Sequence, residues 1–286
     1  MAGALMQLVA YGAQDVFLTG TPEITFWKVS YRRHTNFAME SIEQTFSGQA
    51  DFGRRVTCTI SRNGDLCYRT YLQVTLPEIN QDHNASGMVY ARWLDAPGEQ
   101  LVAQVEIEIG GQRIDRQYGD WMHIWNQLTM SAEQQRGYFQ MIGNTTQLTY
   151  ITDPNFAAIS GPCSATGGPN QVCAPRNALP ETTLYIPLLF WFNRNPGLAL
   201  PLIALQYHEV KINLEFRSAN QCYWASDNFN PPCNSLQLQS ASLYVDYIYL
   251  DTDERRRFAQ VSHEYLIEQL QFTGEESLTD TPPHKT

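Results

Sequence analysis

The sequence is short of charged residues, and it lacks any apolar run long enough to cross a membrane. Asp, Glu, Lys and Arg make up 17% of its 286 residues, whereas about 25% is typical of soluble domains. The best apolar run, residues 184–192, contains a proline and falls well short of the roughly 20 residues that span a bilayer. The first residues have neither the basic region of a secretory signal nor a myristoylation pattern. We therefore expect a chain made in the cytosol that spans no membrane.

Positive charge is also scarce. The net charge is −10, and proteins that bind nucleic acid need clustered Lys and Arg to neutralise phosphates. The two basic runs are Arg32-Arg33-His34 and Arg255-Arg256-Arg257, and acidic residues directly precede the second. These runs are best explained as local ion pairs on a solvated or interfacial face. The sequence thus argues against nucleic acid as a direct partner.

Motifs for catalysis and for metal or cofactor binding are missing. The six histidines are scattered without a His-x-His or HExxH pattern, and no G-x-S-x-G, P-loop or G-x-G-x-x-G occurs. A pair of glycosidase carboxylates stays open as an alternative, but nothing singles one out. The cysteines form three local pairs, Cys58/Cys67, Cys163/Cys173 and Cys222/Cys233, and none has zinc-site spacing. We expect no enzyme activity, no metal, no cofactor and free thiols.

What the sequence does contain is a series of β-strand patterns. Residues 209–217 read EVKINLEFR and alternate strictly between apolar and polar, as in a strand with one buried face. Asn63-Gly64 and Gly110-Gly111 each separate two strand-like runs, which predicts hairpins at both places. The candidate strands number eight: Ser41–Phe46, Arg55–Ile60, Leu66–Leu76, Leu101–Ile109, Gln112–Arg116, Leu184–Phe192, Leu205–Arg217 and Leu238–Leu250.

One helix interrupts the strands, and the connections between strands are of unequal length. Trp121, Ile124, Trp125 and Leu128 recur at helical spacing, which predicts a short amphipathic helix that packs this stripe on a sheet edge. Tight turns alternate with long loops at 78–99, 131–183 and 218–236. Eight strands with these connections indicate an all-β fold, an eight-stranded antiparallel jelly roll of two packed sheets with long loop insertions.

Aromatic residues crowd near the N-terminus. Phe26, Trp27 and Tyr31 lie close to the basic pair Arg32 and Arg33. This segment could be a core strand, a membrane anchor, a nucleic-acid arm or a surface for another subunit. The absence of a spanning run excludes the anchor, and the net charge argues against the nucleic-acid arm.

Five segments carry a resemblance to known proteins: residues 8–46, ISRNGDL (60–66), VEIEIGGQRID (105–115), residues 195–216 and residues 245–274. They resemble the major capsid proteins of nucleocytoplasmic large DNA viruses, above all the chlorovirus (phycodnavirus) protein. The resemblance implies two jelly rolls in tandem, and trimers that tile an icosahedral shell over an internal membrane. It also implies a location in the virion, assembly in the host cytoplasm, and contacts with other capsid subunits and minor capsid proteins.

The resemblance also sets domain limits. It implies an N-terminal arm at the capsomer base (1–40), a jelly-roll domain (41–251) and a post-barrel linker or tail (252–286). Only the first jelly roll and the linker match, so we expect a natural short paralogue, an engineered piece or part of a longer capsid protein. A short paralogue would occupy a special place in the shell, such as a vertex or penton position.

The same reasoning gives candidate site residues. The expected assembly contacts are Phe26, Trp27, Tyr31, Arg32, Arg33, Phe258, Tyr265 and Phe272. An alternative function is a lectin-like binding module on the virion surface, which would use Trp93, Tyr223, Trp224 and the 161–169 loop, although these aromatics are better explained as packing under the loops. Two N-x-[ST] patterns in predicted loops mark Asn84 and Asn144 as candidate glycosylation sites.

Overall fold

The computed structural model describes residues 34–80, 91–149, 178–225 and 236–274. By its internal contacts the chain divides into Met1–Thr35 and Asn36–Thr286. The first unit lies almost wholly outside the described residues, so the fold below is that of the second unit alone.

The second unit is built mainly from antiparallel strands. The strands are β1 Phe37–Gln44, β2 Arg55–Thr59, β3 Leu66–Leu76, β4 Ile79–Asn80, β5 Ala91–Trp93, β6 Val102–Ile109, β7 Gln112–Tyr118, β8 Ala178–Leu179, β9 Thr182–Pro187, β10 Leu200–Pro201, β11 Val210–Phe216, β12 Tyr223–Ala225 and β13 Ser240–Leu250. The α-helices are Pro97–Leu101, Gly119–Thr129, Ala132–Met141, Thr146–Thr149, Trp191–Arg194 and Thr252–Gln260, and short 3-10 turns occupy Pro196–Leu198 and Ala219–Gln221.

Eight main strands form two antiparallel sheets, and the short strand β10 joins the first sheet as its fifth strand. In the first sheet, β1 pairs with β13, β13 with β3, and β3 with β9, while the two-residue β10 also pairs with β3. The second sheet has the order β2-β11-β6-β7. Each sheet therefore joins strands that are far apart in sequence, as in the Greek keys of a jelly roll. The predicted eight-stranded antiparallel jelly roll is confirmed.

The core lies between the two sheets and follows from alternation along the strands. In β11, Val210, Ile212, Leu214 and Phe216 are buried while the residues between them are partly exposed. β3 and β13 contribute residues such as Leu72 and Val245 from the opposite sheet, and both are fully buried. Alternation places the polar partners of these residues on the outer faces of the sandwich.

Three predicted strand boundaries were wrong by several residues, and one of them is the strand expected from Leu205, which begins at Val210. The first strand begins at Phe37 rather than Ser41 and pairs with β13 over its whole length. The apolar run predicted as one strand over Leu184–Phe192 ends at Pro187 and continues as the helical turn Trp191–Arg194. Asn193 fixes this turn, because its side chain accepts from the Phe190 backbone N–H at 3.1 Å and donates to the Tyr68 carbonyl at 2.5 Å.

The two predicted hairpins had different outcomes. At Gly110-Gly111 the hairpin is confirmed, since β6 pairs with β7 and both glycines have positive φ. At Asn63-Gly64 the prediction was wrong, because β2 and β3 belong to different sheets. The chain crosses between the sheets here, and Gly64 is needed because a Cβ would lie 2.6 Å from the Tyr247 Cβ.

The expectation of a single helix was also wrong, since three helices of nine to eleven residues are present: Gly119–Thr129, Ala132–Met141 and Thr252–Gln260. Among the described residues, no helix is both long and apolar enough to cross a membrane.

Candidate functional site

The helix Gly119–Thr129 exposes the apolar stripe that was predicted to be buried. Leu128 is 79% exposed and Ile124 is 49% exposed, while Trp121 and Trp125 are partly buried. The face that packs on the sandwich instead contains Gly119, Met122 and Asn126. Gly119 determines this orientation, because a Cβ there would lie 2.3 Å from the Glu99 carbonyl oxygen and 2.4 Å from that of Val102. We call Trp121, Ile124, Trp125 and Leu128 the exposed stripe.

A buried carboxylate holds the helix in this orientation. Glu99 is 3% exposed, and its Oε1 accepts from the Tyr138 hydroxyl at 2.5 Å and from Asn126 Nδ2 at 3.0 Å. Its Oε2 lies 2.6 Å from His123 Nδ1. Burial, and secondarily the charge of Glu99, raises the pKa of Tyr138 well above its usual range. The network thereby connects the helices Pro97–Leu101, Gly119–Thr129 and Ala132–Met141.

A groove of about 620 Å³ lies beside the exposed stripe. Its apolar wall is formed by Tyr118, Trp121, Ile124 and Phe272, and Arg217 and Asp120 form an ion pair of 3.0 Å at its edge. The groove is therefore mainly apolar with a polar edge, which is typical of a surface that contacts another protein.

One wall of the groove comes from the segment after the last helix. Residues 261–274, which we call the post-barrel segment, run along β7, where the Leu270 N–H donates to Asp115 Oδ1 at 3.1 Å. Phe272 packs on Tyr118 with ring centroids 4.9 Å apart. Glu268 pairs with Arg194 at 2.5 Å, and the Arg194 guanidinium lies 4.0 Å above the Trp125 ring. The segment thus covers the β7 edge of the second sheet.

The structure separates the predicted assembly residues. Phe272 is exposed at the groove, and Tyr265 is partly buried, which raises its pKa. Phe258 packs against a cluster that includes Leu66 and Ile248, so this ring is part of the fold and much less available to a partner. The arm residues Phe26, Trp27, Tyr31, Arg32 and Arg33 lie outside the described residues.

The residues considered for sugar binding and for glycosylation also differ in their exposure. Trp93 and Tyr223 are buried and contact each other edge to face at 5.8 Å, whereas Trp224 is exposed. The 161–169 loop and Asn84 lie outside the described residues, while Asn144 is partly exposed just after the helix Ala132–Met141.

Sequence reasoning missed Glu99, because nothing near it in the chain marks it as a shared hydrogen-bond acceptor.

The described part of the chain contains no group of three or more His, Cys, Asp or Glu residues able to hold a metal ion. Cys58, Cys67 and Cys222 are buried free thiols, and Cys163, Cys173 and Cys233 lie outside the described ranges. Burial raises the pKa of Cys58 to about 11 and that of Cys222 to about 12. These thiols are therefore protonated at neutral pH and are poor nucleophiles.

The thiols should make the fold sensitive to alkali. Unfolded cysteines ionise near pH 8.5, so the unfolded chain releases protons there that the folded chain retains. The stabilisation is complete below this pH and declines as pH rises toward the folded pKa values. We expect the thermal midpoint to fall progressively above about pH 8.5, and a Cys58→Ala variant to show a smaller decline. A thermal midpoint independent of pH up to about 11 in both proteins would contradict this.

Comparison with known proteins agrees with this architecture. The family described as "Major capsid protein N-terminus" matches residues 25–251. The major capsid protein of Phaeocystis pouchetii virus is 76% identical over 97% of this chain, and that of Paramecium bursaria Chlorella virus 1 is 45% identical over 98%. The crystal structure of PBCV-1 VP54 superposes with a TM-score of 0.65 at 40% identity, covering 90% of this chain and 53% of that one.

This chain spans 54% of the Phaeocystis virus protein and 55% of the Chlorella virus protein. The matched family covers all of the strands that build the two sheets, and the similarity to the two capsid proteins extends over nearly the whole chain. On this evidence the chain belongs to the major capsid protein family of large DNA viruses, whose N-terminal jelly roll it contains.

Proposed function

We propose that this chain is a non-enzymatic structural component of the capsid shell of a large icosahedral DNA virus. The observation that carries the proposal is a two-sheet jelly roll, in a chain of the major capsid protein family, that exposes an apolar stripe beside an apolar groove. Exposed apolar patches of this kind typically mark contacts with other proteins. Shell building requires such contacts on every subunit.

The proposal includes the domain limits and partners expected from the sequence. The expected limit between arm and barrel at residue 41 moves to Phe37, where β1 begins. Residues 37–251 form the jelly roll, 252–286 form a post-barrel linker, and the residues before Phe37 form an arm that contacts neighbours at the capsomer base. The partners are other capsid subunits and minor capsid proteins. The subunit is assembled in the host cytoplasm and resides in the virion, near an internal membrane that it does not span.

A lectin-like role has less support. Two of the three aromatic residues that it would use, Trp93 and Tyr223, are buried in the sandwich. Rings in the core are unavailable for stacking on a sugar. The burial of these rings instead favours the structural role.

Electron cryomicroscopy of purified virions tests the proposed function. The expected result is shell density that fits this jelly roll, with cross-links from this chain to other capsid proteins. Virions whose shell density accommodates no such sandwich, and which yield no cross-linked partner, would contradict it.

We expect Leu128→Glu to impair assembly without unfolding the chain. Leu128 is exposed, and substitutions at such positions change the free energy of unfolding by at most about 0.5 kcal/mol. A carboxylate in a buried apolar contact is costly, so the variant should be depleted from particles when co-expressed with wild type. Gln127→Glu, on an exposed neighbouring position of the same helix, is the matched control. Equal incorporation of both variants would exclude the stripe as an assembly contact.

A further inference from the structure

Strand β7 lies at the edge of the second sheet as the structure describes it, and it has two features that hinder pairing with a further strand. The register between β6 and β7 shifts after Ile107, which leaves Ile114 as an extra residue without a partner on β6. The next residue, Asp115, is only 3% exposed, so its carboxylate points inward. Natural sheets use both bulges and inward-pointing charges to protect an edge from pairing with other chains.

The post-barrel segment adds a third protection, because it lies over the same edge. Gln269 Nε2 donates to the Ile114 carbonyl oxygen at 2.5 Å, and the Leu270 N–H donates to Asp115 Oδ1 at 3.1 Å. Since Ile114 is outside the register between β6 and β7, its carbonyl would otherwise be available to a strand of another chain. A loop or segment laid over an edge is a further way in which proteins prevent such pairing.

The segment is held in place mainly by side chains. Phe272 packs on Tyr118, the last residue of β7, with ring centroids 4.9 Å apart. Glu268 pairs at 2.5 Å with Arg194, which ends a helical turn of the sandwich. Both hydrogen bonds to the middle of β7 also use a side chain, that of Gln269 or of Asp115. The segment therefore covers the edge without becoming a strand, and it creates no new edge with free main-chain groups.

We propose that the post-barrel segment is an autoinhibitory cover, which prevents β7 of one copy from pairing with β7 of a second copy. The partner follows from the chemistry of an edge, because main-chain N–H and C=O groups can pair with any exposed strand and every copy carries the same β7. Two antiparallel β7 edges would form an isologous contact about a two-fold axis. The inference concerns the free chain, so it goes beyond the proposed function and does not depend on it.

A variant of the whole chain that loosens the cover tests the proposal. Glu268→Ala, Gln269→Ala and Phe272→Ala are combined in this release variant. All three residues are exposed, so the sandwich should keep its fold, which circular dichroism verifies. We expect the Leu270 amide to exchange its hydrogen faster, because its bond to Asp115 is no longer held in place. In sedimentation velocity the dissociation constant for self-association should fall at least about tenfold relative to wild type.

Hydrogen exchange at rising protein concentration locates the new contact. In the release variant, amides of residues 112–118 should gain protection as the concentration rises, because pairing buries the outward N–H groups of β7. Wild type should show no such gain. A synthetic peptide with the sequence of residues 261–274, added in excess, should reverse the association of the release variant by restoring the cover.

The matched control combines Glu264→Ala, Leu266→Ala and Gln271→Ala. These substitutions remove a carboxylate, an apolar side chain and an amide at exposed positions of the same segment, outside the contacts described above. The control should behave like wild type in both measurements.

Three results would overturn the proposal. The first is faster exchange at Leu270 with unchanged self-association, since the segment would then only pack on the sandwich. The second is tighter association without protection of residues 112–118, because the contact would lie elsewhere. The third is unchanged exchange at Leu270 in the release variant, which would show that the named contacts do not hold a cover.

Discussion

Replacing Phe190 by Ala should lower the free energy of unfolding by about 3–5 kcal/mol, the usual cost of removing a fully buried aromatic side chain. Phe190 has no solvent exposure. Its ring stacks on Phe192 with centroids 5.8 Å apart and contacts Trp191 at 6.5 Å. These three large rings pack together, so removing one of them leaves a cavity that neighbouring side chains cannot fill.

Equilibrium unfolding in urea measures this effect. Tyr207→Ala is the matched control, since Tyr207 is 87% exposed and its removal should change stability by at most about 0.5 kcal/mol. A loss of less than about 1 kcal/mol for Phe190→Ala would mean that the core collapses around the missing ring.

Glu99→Ala should cost a similar amount, about 3–5 kcal/mol, for a different reason. The substitution removes the acceptor shared by the Tyr138 hydroxyl and the Asn126 amide. Both donors belong to buried residues. After the substitution Asn126 still donates to the Tyr138 oxygen, but the Tyr138 hydroxyl has lost its acceptor, and such an unpaired buried group is costly. We also expect the helix Ala132–Met141 to lose its protection from hydrogen exchange, because Tyr138 is its buried residue.

The control for this change is Glu133→Ala. Glu133 is an exposed acidic residue in the first turn of the same helix, so its removal should cost only a few tenths of a kcal/mol. If both variants lose equal stability, the Glu99 network is not what holds the helices together.

The sequence predicts the strands well, because alternation is a local property. The limits of β3 match the prediction at both ends, and β11 shows the expected buried set. The hairpin predicted at Asn63-Gly64 does not form, and the reason is nonlocal. The turn residues are suitable, but β13 and β11 pair with the flanking strands from more than 130 positions away.

The helix stripe shows the second limit of sequence reasoning. Periodicity correctly predicts that Trp121, Ile124, Trp125 and Leu128 share a face, but it does not specify what covers that face. The orientation follows from Gly119 fitting against the Glu99 and Val102 carbonyls. Glu99 is 39 positions from Tyr138 in the sequence. No local pattern could therefore have identified the hydrogen bonds of Glu99 that hold this helix in place. In a shell subunit, another chain can bury an apolar face that is exposed in the single chain.

The position of β13 has a consequence for synthesis. This strand sits between β1 and β3, yet it is the last strand of the sandwich to be translated, and the Tyr249 hydroxyl reaches Glu40 from 209 positions away. Because translation adds about 5–20 residues per second, β1 is synthesised roughly 10–40 s before its partner β13. During that interval β1 and β3 both present open edges to every other nascent copy. Until β13 is made, premature pairing of these edges between copies is therefore the main hazard that this strand order creates.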